Sequence, residues 1–414
     1  MKKFKYISIL LFIMCILIGC SKRKTTEELK LNDLQYINTH YSMTDRVFIS
    51  SINGIYYKDF IHNTKVYACN QLDCTHQPNS GCMAYPDVKK NEGLFSYPFI
   101  YNNKLYYFDT RYGDNNILLL RSELDGSNKE TLAEQKLSSL QGSDLLRVGN
   151  KLYYWGDWEE TDITEEGFVD LLSANYEIYE VDLETGVIRQ ISSFGTYYNY
   201  NVNRLIYSEG SLYFSYIVQL RSWVDTPYAN PADRIDIISN SSTEEIMELL
   251  DMQSKSGSIN ISTGAQIINP VDIYYNIVAV IKDRIFIQVD NELLSFDKNW
   301  ENKKIEYVTE KGKEDTGFSV HMIDDRMVLI TWNGFLKPRE YYIWDDTKSA
   351  LVNLGFDLDY NILFTNYSKN KLLIAKTPLK SSSRSDEWSF ILADKEKFFK
   401  GELKFTDVEV NINE

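Results

Sequence analysis

Three cysteines and a histidine fall within fourteen residues, Cys69-Asn70-Gln71-Leu72-Asp73-Cys74-Thr75-His76-Gln77-Pro78-Asn79-Ser80-Gly81-Cys82. The C-x4-C-x-H-x5-C spacing supplies the four donors of a closed tetrahedral zinc site, Cys69, Cys74, His76 and Cys82. Such a metal would staple the segment and leave no coordination position open for chemistry. In an oxidising compartment two of the three cysteines could instead form a disulfide and leave one thiol over. Both readings stay open.

Other chemistry-bearing residues are sparse. The chain has four histidines, of which His40, His62 and His321 stand outside any motif. It contains no Gly-x-Ser-x-Gly, His-Glu-x-x-His, Gly-x4-Gly-Lys-Ser/Thr or Cys-x-x-Cys-His. An enzymatic reading would rest on a carboxylate pair of the glycoside-hydrolase kind, and 59 acidic residues do not single one out. The segment from Asp157 to Glu166 brings six carboxylates and Trp158 together without calcium-loop spacing, and reads as a solvated acidic loop. Trp155, Trp158, Trp223, Tyr228 and Trp332 fall near long connections, where exposed rings would suit a sugar or peptide. A net charge of -15 argues against nucleic-acid partners, and 43% hydrophobic residues exclude a disordered chain.

The amino end carries an address. Lys2, Lys3 and Lys5 precede an apolar run from Tyr6 to Ile18, the length of a signal-peptide core and short of a bilayer span. The run closes in Leu17-Ile18-Gly19-Cys20, which resembles the lipobox of bacterial lipoproteins. That resemblance implies cleavage before Cys20, a thioether-linked diacylglycerol with palmitate-type chains on its sulfur, and anchoring on the extracytoplasmic side of a cell membrane. Residues 1–19 are thus the expected signal peptide and 20–33 the lipidated cysteine with a basic tether. Loss of the three lysines takes the net charge from -15 to -18.

Residues 34–414 are organised by a repeat. Seven segments open with a turn-forming residue and one polar, usually basic residue before an apolar run: Asp45-Arg46-Val47, Asn103-Lys104-Leu105, Asn150-Lys151-Leu152, Gly210-Ser211-Leu212, Asp283-Arg284-Ile285, Asp325-Arg326-Met327 and Asn370-Lys371-Leu372. Asp, Asn and Gly tolerate the positive φ of tight hairpin turns. Successive apolar starts lie 58, 47, 60, 73, 42 and 45 residues apart, the shortest at the length of a propeller blade. A second strand-turn signal follows each one, as in Leu124-Asp125-Gly126 and Val181-Asp182-Leu183-Glu184-Thr185-Gly186. Four short strands repeated seven times predict an all-β fold, a single β-propeller of seven four-stranded blades, with six or eight blades as alternatives. Closure of the ring is expected to pair Leu34–Ile37 or Leu403–Ile412 into a terminal blade, so that no sheet edge stays open.

The repeats of the Asn-Lys-Leu-Tyr-Tyr type, and the cysteine segment, resemble a group of bacterial lipoproteins with a propeller similar to that of low-density-lipoprotein-receptor-related proteins. The resemblance implies the fold and no particular reaction. In an up-and-down blade the connections after the second and fourth strands share one face. Insertions at 69–94, 157–175, 217–258 and 377–387 therefore map together, and that face is the expected binding surface for a ligand or protein partner. The insertion at 217–258 holds a capping box, Ser242 to Glu245, that predicts a short helix. A carbohydrate-active enzyme using a carboxylate pair in the funnel, and a scaffold subunit of an envelope complex, are the competing expectations.

Overall fold

A computed structural model describes residues 34–78, 80–87, 93–111, 115–163, 169–197, 199–228, 231–271, 276–309, 316–333, 339–356, 358, 360–378 and 389–410. The signal, Cys20 and the tether lie outside them. Thirty strands form seven antiparallel meanders arranged as blades. Blade 1 holds β2 (Tyr41–Met43), β3 (Val47–Ser50), β4 (Tyr56–Asp59) and β5 (Lys65–Tyr67), and blade 2 holds β6 (Leu94–Tyr101), β7 (Lys104–Arg111), β8 (Asn116–Glu123) and β9 (Glu130–Lys136). Blade 3 comprises β10 (Ser139–Val148), β11 (Lys151–Ile163), β12 (Val169–Asp182) and β13 (Ile188–Tyr197). In blade 4 the first strand is split into β14 (Asn199–Val202) and β15 (Ile206–Ser208), followed by β16 (Ser211–Gln219), β17 (Met252–Asn260) and β18 (Gln266–Val271). Blade 5 runs from β19 (Asn276–Ile281) through β20 (Arg284–Val289) and β21 (Glu292–Asp297) to β22 (Lys304–Val308). Blade 6 is β23 (Thr316–Ile323), β24 (Arg326–Asn333), β25 (Glu340–Asp345) and β26 (Ala350–Asn353), and blade 7 is β27 (Tyr360–Tyr367), β28 (Lys371–Pro378), β29 (Ser389–Asp394) and β30 (Phe405–Val408).

All seven repeat segments open the second strand of a blade. The opening residue itself takes positive φ only at Asn103 and Gly210; in the turns of blades 3, 5 and 6 positive φ falls one residue earlier, at Gly149, Lys282 and Asp324. The basic residue that follows has a structural reason. It stands opposite the acid that closes the third strand, pairing Lys104 with Glu123, and Lys151 with Asp182 at 2.8 Å.

The apolar run then alternates. Leu105 and Tyr107 pack toward Ile49 of blade 1, whereas Tyr106 and Phe108 pack with Leu152 and Tyr154 of blade 3. Tyr153 and Trp155 turn the other way, onto Leu212, Phe214 and Tyr216 of blade 4. Each sheet is thus apolar on both faces and buries them only against its neighbours, which is why the ring folds as one cooperative unit. Between neighbours, Gly186 carries φ +74°, and a Cβ there would sit 2.0 Å from the Leu132 carbonyl of the preceding blade.

Closure differs from expectation. Phe405–Val408, within the expected Leu403–Ile412 segment, pairs into blade 7 as its outer strand, but that blade is made entirely from consecutive chain, and β1 (Leu34–Asn38) joins neither terminal blade. It pairs instead along β10, the innermost strand of blade 3, from Leu34 opposite Val148 to Asn38 opposite Asp144. Blades 1 and 7 meet through side chains: Met43 and Phe48 against Leu373, Ala375 and Phe390. Asp45 clamps that seam by accepting from the Asn370 amide at 2.9 Å and from the side chains of Ser368 and Asn370. An apolar and polar seam therefore does the work that strand exchange was expected to do.

Candidate functional site

Strand order fixes two faces. The turns between first and second strands and between third and fourth strands lie on one, and the longer connections lie on the other. The cysteine segment between β5 and β6, the β11–β12 hairpin and the segment between β16 and β17 all belong to the second, insertion face. The connection after β28, residues 379–388, lies outside those described.

The β16–β17 connection begins at Leu220 rather than 217, because β16 continues to Gln219. It contains helix α1 (Pro231–Asn240) and helix α2 (Thr243–Leu249). The expected capping box is formed: the Glu245 amide donates to Ser242 Oγ at 3.2 Å and the Ser242 amide to Glu245 Oε2 at 2.8 Å. Helix α1 leaves Ile235 61% and Ile238 55% exposed, and Val224 just before it is 58% exposed. Three residues apart on a helix, the two isoleucines share a side. Seven acidic and two basic residues lie between 220 and 252.

The aromatic candidates separate. Trp158 is 48% exposed. Trp223 and Tyr228 are half-buried and joined by Arg234, whose guanidinium lies 5.9 Å from the Trp223 ring and whose Nε donates to the Tyr228 carbonyl at 3.3 Å. Trp332 is half-buried against the Gly317 backbone, with Arg339 5.4 Å away. Trp155 is a core residue, fully buried, and its indole N–H donates to the Asn203 carbonyl at 3.0 Å.

The acidic segment also departs from its expected form, since residues through Ile163 extend β11 instead of making a loop. Asp157 is fully buried, accepting from the Ser139 amide at 2.7 Å, the Ser139 hydroxyl at 2.8 Å and Gln141 Nε2 at 2.9 Å. Glu159, two residues along the same strand face, is in hydrogen-bond contact with it. Burial, with Asp157 beside it, pushes the Glu159 carboxyl up to about 7. Two carboxyls in direct contact stand closer than the roughly 5–9.5 Å of glycoside hydrolysis. Sequence reasoning missed this pair, whose partner Ser139 lies a strand away.

The structure brings Cys69, Cys74, His76 and Cys82 together, with one ligand atom from each lying within 4.8 Å of all the others. His76 Nδ1 is 3.5 Å from Cys82 Sγ. The three cysteines are unbridged. Burial works to raise the Cys69 thiol, but the amides of Gln71 and Met83 and the neighbouring thiols more than offset it and hold it below the usual range. Burial pushes Cys82 up to about 12, against the Ala84 amide. The His76 ring stacks on Tyr67 at 4.9 Å.

The chain is a seven-bladed β-propeller, and its fold has solved counterparts. It is similar to a prolyl endopeptidase (TM-score 0.50, 10% identity, 95% of this chain and 53% of that one). It is also similar to the propeller domain of the Trilobed protease from Pyrococcus furiosus (0.45, 10%, 92% and 99%) and to an uncharacterized Listeria monocytogenes protein (0.44, 11%, 77% and 82%). This chain spans about half the length of the prolyl endopeptidase. No family model and no curated protein matches the sequence. At these identities the likeness shows architecture alone.

Proposed function

We propose that this chain is a membrane-anchored extracytoplasmic lipoprotein whose propeller binds a protein partner through the insertion face. The observation that carries the binding is the side of α1 that holds Ile235 and Ile238 in solvent, flanked by Val224 and an acidic surround. Apolar side chains at helical spacing that stand more than half exposed suit a partner with an apolar patch and a basic rim. The anchoring rests on the sequence around Cys20. It agrees with the topology, because β1 starts on the face of short turns: Leu34 stands opposite Val148, next to the Gly149 turn.

The test places a photo-crosslinking amino acid at Ile235, and in a second strain at Thr185 on the short-turn face, in the native cells. A discrete adduct at position 235 that disappears with Ile238→Asp, and no matching adduct at 185, is the expected result. Equal labelling at both positions, or none at 235, overturns the binding assignment. Fractionation tests the anchor separately: Cys20→Ser should move the protein out of the membrane fraction, and unchanged membrane association would sink it.

A further inference from the structure

We propose that Cys69, Cys74, His76 and Cys82 bind one zinc ion, and that this ion is the structural clip of the first blade. The argument begins with what the segment lacks. Its largest apolar residue, Leu72, is 92% exposed, and Gln71, Asp73, Thr75, Gln77 and Pro78 are exposed as well. Facing inward are the four donors, of which Cys82 is buried and the others half-buried. A segment with no apolar interior needs another source of cohesion. Zinc–sulfur bonds of about 2.3 Å and zinc–nitrogen bonds of about 2.0–2.1 Å imply tetrahedral edges of roughly 3.5–3.8 Å. The His76 Nδ1 to Cys82 Sγ distance of 3.5 Å is already such an edge, and the remaining pairs need to contract by no more than about an ångström.

The donor chemistry selects metal over disulfide. A disulfide uses two sulfurs and leaves a thiol and an imidazole facing it, whereas here three sulfurs and Nδ1 converge on a common centre. Backbone amides two residues beyond Cys69 and Cys82, those of Gln71 and Ala84, hydrogen-bond to the sulfurs and orient them. Three thiolates and one imidazole, with no carboxylate among them, suit zinc rather than a hard cation.

Position explains the need. Blade 1 has strands of three or four residues, against seven or eight in blade 2, so its ladder contributes few hydrogen bonds. The cysteine segment supplies what is missing: the Ala68 amide donates to the Ile55 carbonyl at 2.9 Å, the Ile55 amide to the Ala84 carbonyl at 2.7 Å, and the Tyr85 ring covers Gly54. Blade 1 is also one side of the ring seam. A clip across residues 69–82 thus holds the weakest blade where the ring closes on itself.

The test uses the full chain solubilised in detergent and kept reduced, with zinc alone as the added ligand. Elemental analysis is expected to give about one zinc per chain, falling at least tenfold in Cys74→Ser and Cys82→Ser. Cobalt titrated into the unmutated, metal-stripped chain, which needs no variant to fold, should give thiolate charge-transfer bands and intense tetrahedral d–d bands. Stripping the metal should speed hydrogen exchange in residues 41–85 and leave blades 3 to 5 unchanged. A reduced, folded chain that takes up neither metal overturns the proposal. So does a disulfide among these cysteines in protein isolated from its native envelope, or stoichiometric zinc in both serine variants.

Discussion

Acidification should weaken the ring through one side chain, His321. It sits on β23, the innermost strand of blade 6, with Ser319 Oγ 3.1 Å from Nε2 and the Phe364 ring 5.4 Å away. Burial, and then the positive charges of Arg204 and Arg339, push its pKa down to about 4 from an ordinary 6.5. The folded ring is therefore neutral where the unfolded one is protonated. Its contribution to stability is constant above the unfolded value and is lost as pH falls from 6.5 toward 4. At 1.36 kcal/mol per unit the ceiling is about 3.4 kcal/mol. The imidazole keeps some exposure, and solvent screening brings the expected loss to roughly 2 kcal/mol. Denaturant unfolding of the wild type and His321→Gln between pH 8 and 4 isolates the effect, because the carboxylates common to both cancel in the difference. The wild type should lose ground against the variant only below pH 6.5. Parallel profiles across the whole range would refute the assignment of a neutral, desolvated ring to this position.

Glu159 has the opposite sign. Its raised carboxyl favours the protonated folded form, so its stabilisation is full below about pH 4.5 and is lost as pH rises through about 7. Glu159→Gln should remove about 1–2 kcal/mol of destabilisation between about pH 4.5 and 7, after screening at a half-exposed site, as read by denaturant midpoints. Gly186→Ala places a Cβ against the Leu132 carbonyl at positive φ and should cost at least about 2 kcal/mol, whereas Gly264→Ala, at φ +72° with open space around it, should cost about 1. Equal losses in the two would show that φ alone matters. Asp45→Ala removes three hydrogen bonds across the blade 1–blade 7 seam and should cost about 1–3 kcal/mol, with hydrogen exchange rising first in β2 and β27.

What the sequence disclosed was local. Gly149-Asn150-Lys151-Leu152-Tyr153-Tyr154 encodes a turn with positive φ at Gly149, a cation for the acid across the ladder and a period-two apolar strand, all within six residues. What it hid was long-range. Leu34-Gln35-Tyr36-Ile37 reads as a strand but says nothing of its partner, and its pairing with β10 spans more than a hundred residues. Trp155 and Trp158 lie three residues apart in the same strand, yet one is core and the other exposed. An odd number of positions apart, they project from opposite faces of β11, Trp155 onto blade 4 and Trp158 away from it. Asp157 looked solvated because Ser139 and Gln141, which bury it, belong to another strand. The four zinc-type donors were legible as types, and only the turns through Asp73 and His76, both at positive φ, bring them to one point.

The pairing of β1 with an innermost strand bears on where recognition can occur. A funnel site, as a carbohydrate-active enzyme on this scaffold would need, requires a lined and open axis. Here Tyr36 lies beside the ring axis, 8% exposed, with the Arg204 guanidinium 5.3 Å from its ring and Tyr367 of blade 7 in the same cluster, while Ile37 is fully buried. A site that displaced β1 would expose Ile37 and break the β1–β10 ladder. That cost is absent at the rim, where Ile235 and Ile238 already stand in water. Strand β1 also brings the chain in from the short-turn face. The same five residues that make a central site expensive therefore leave the insertion face as the larger surface on which binding displaces only solvent.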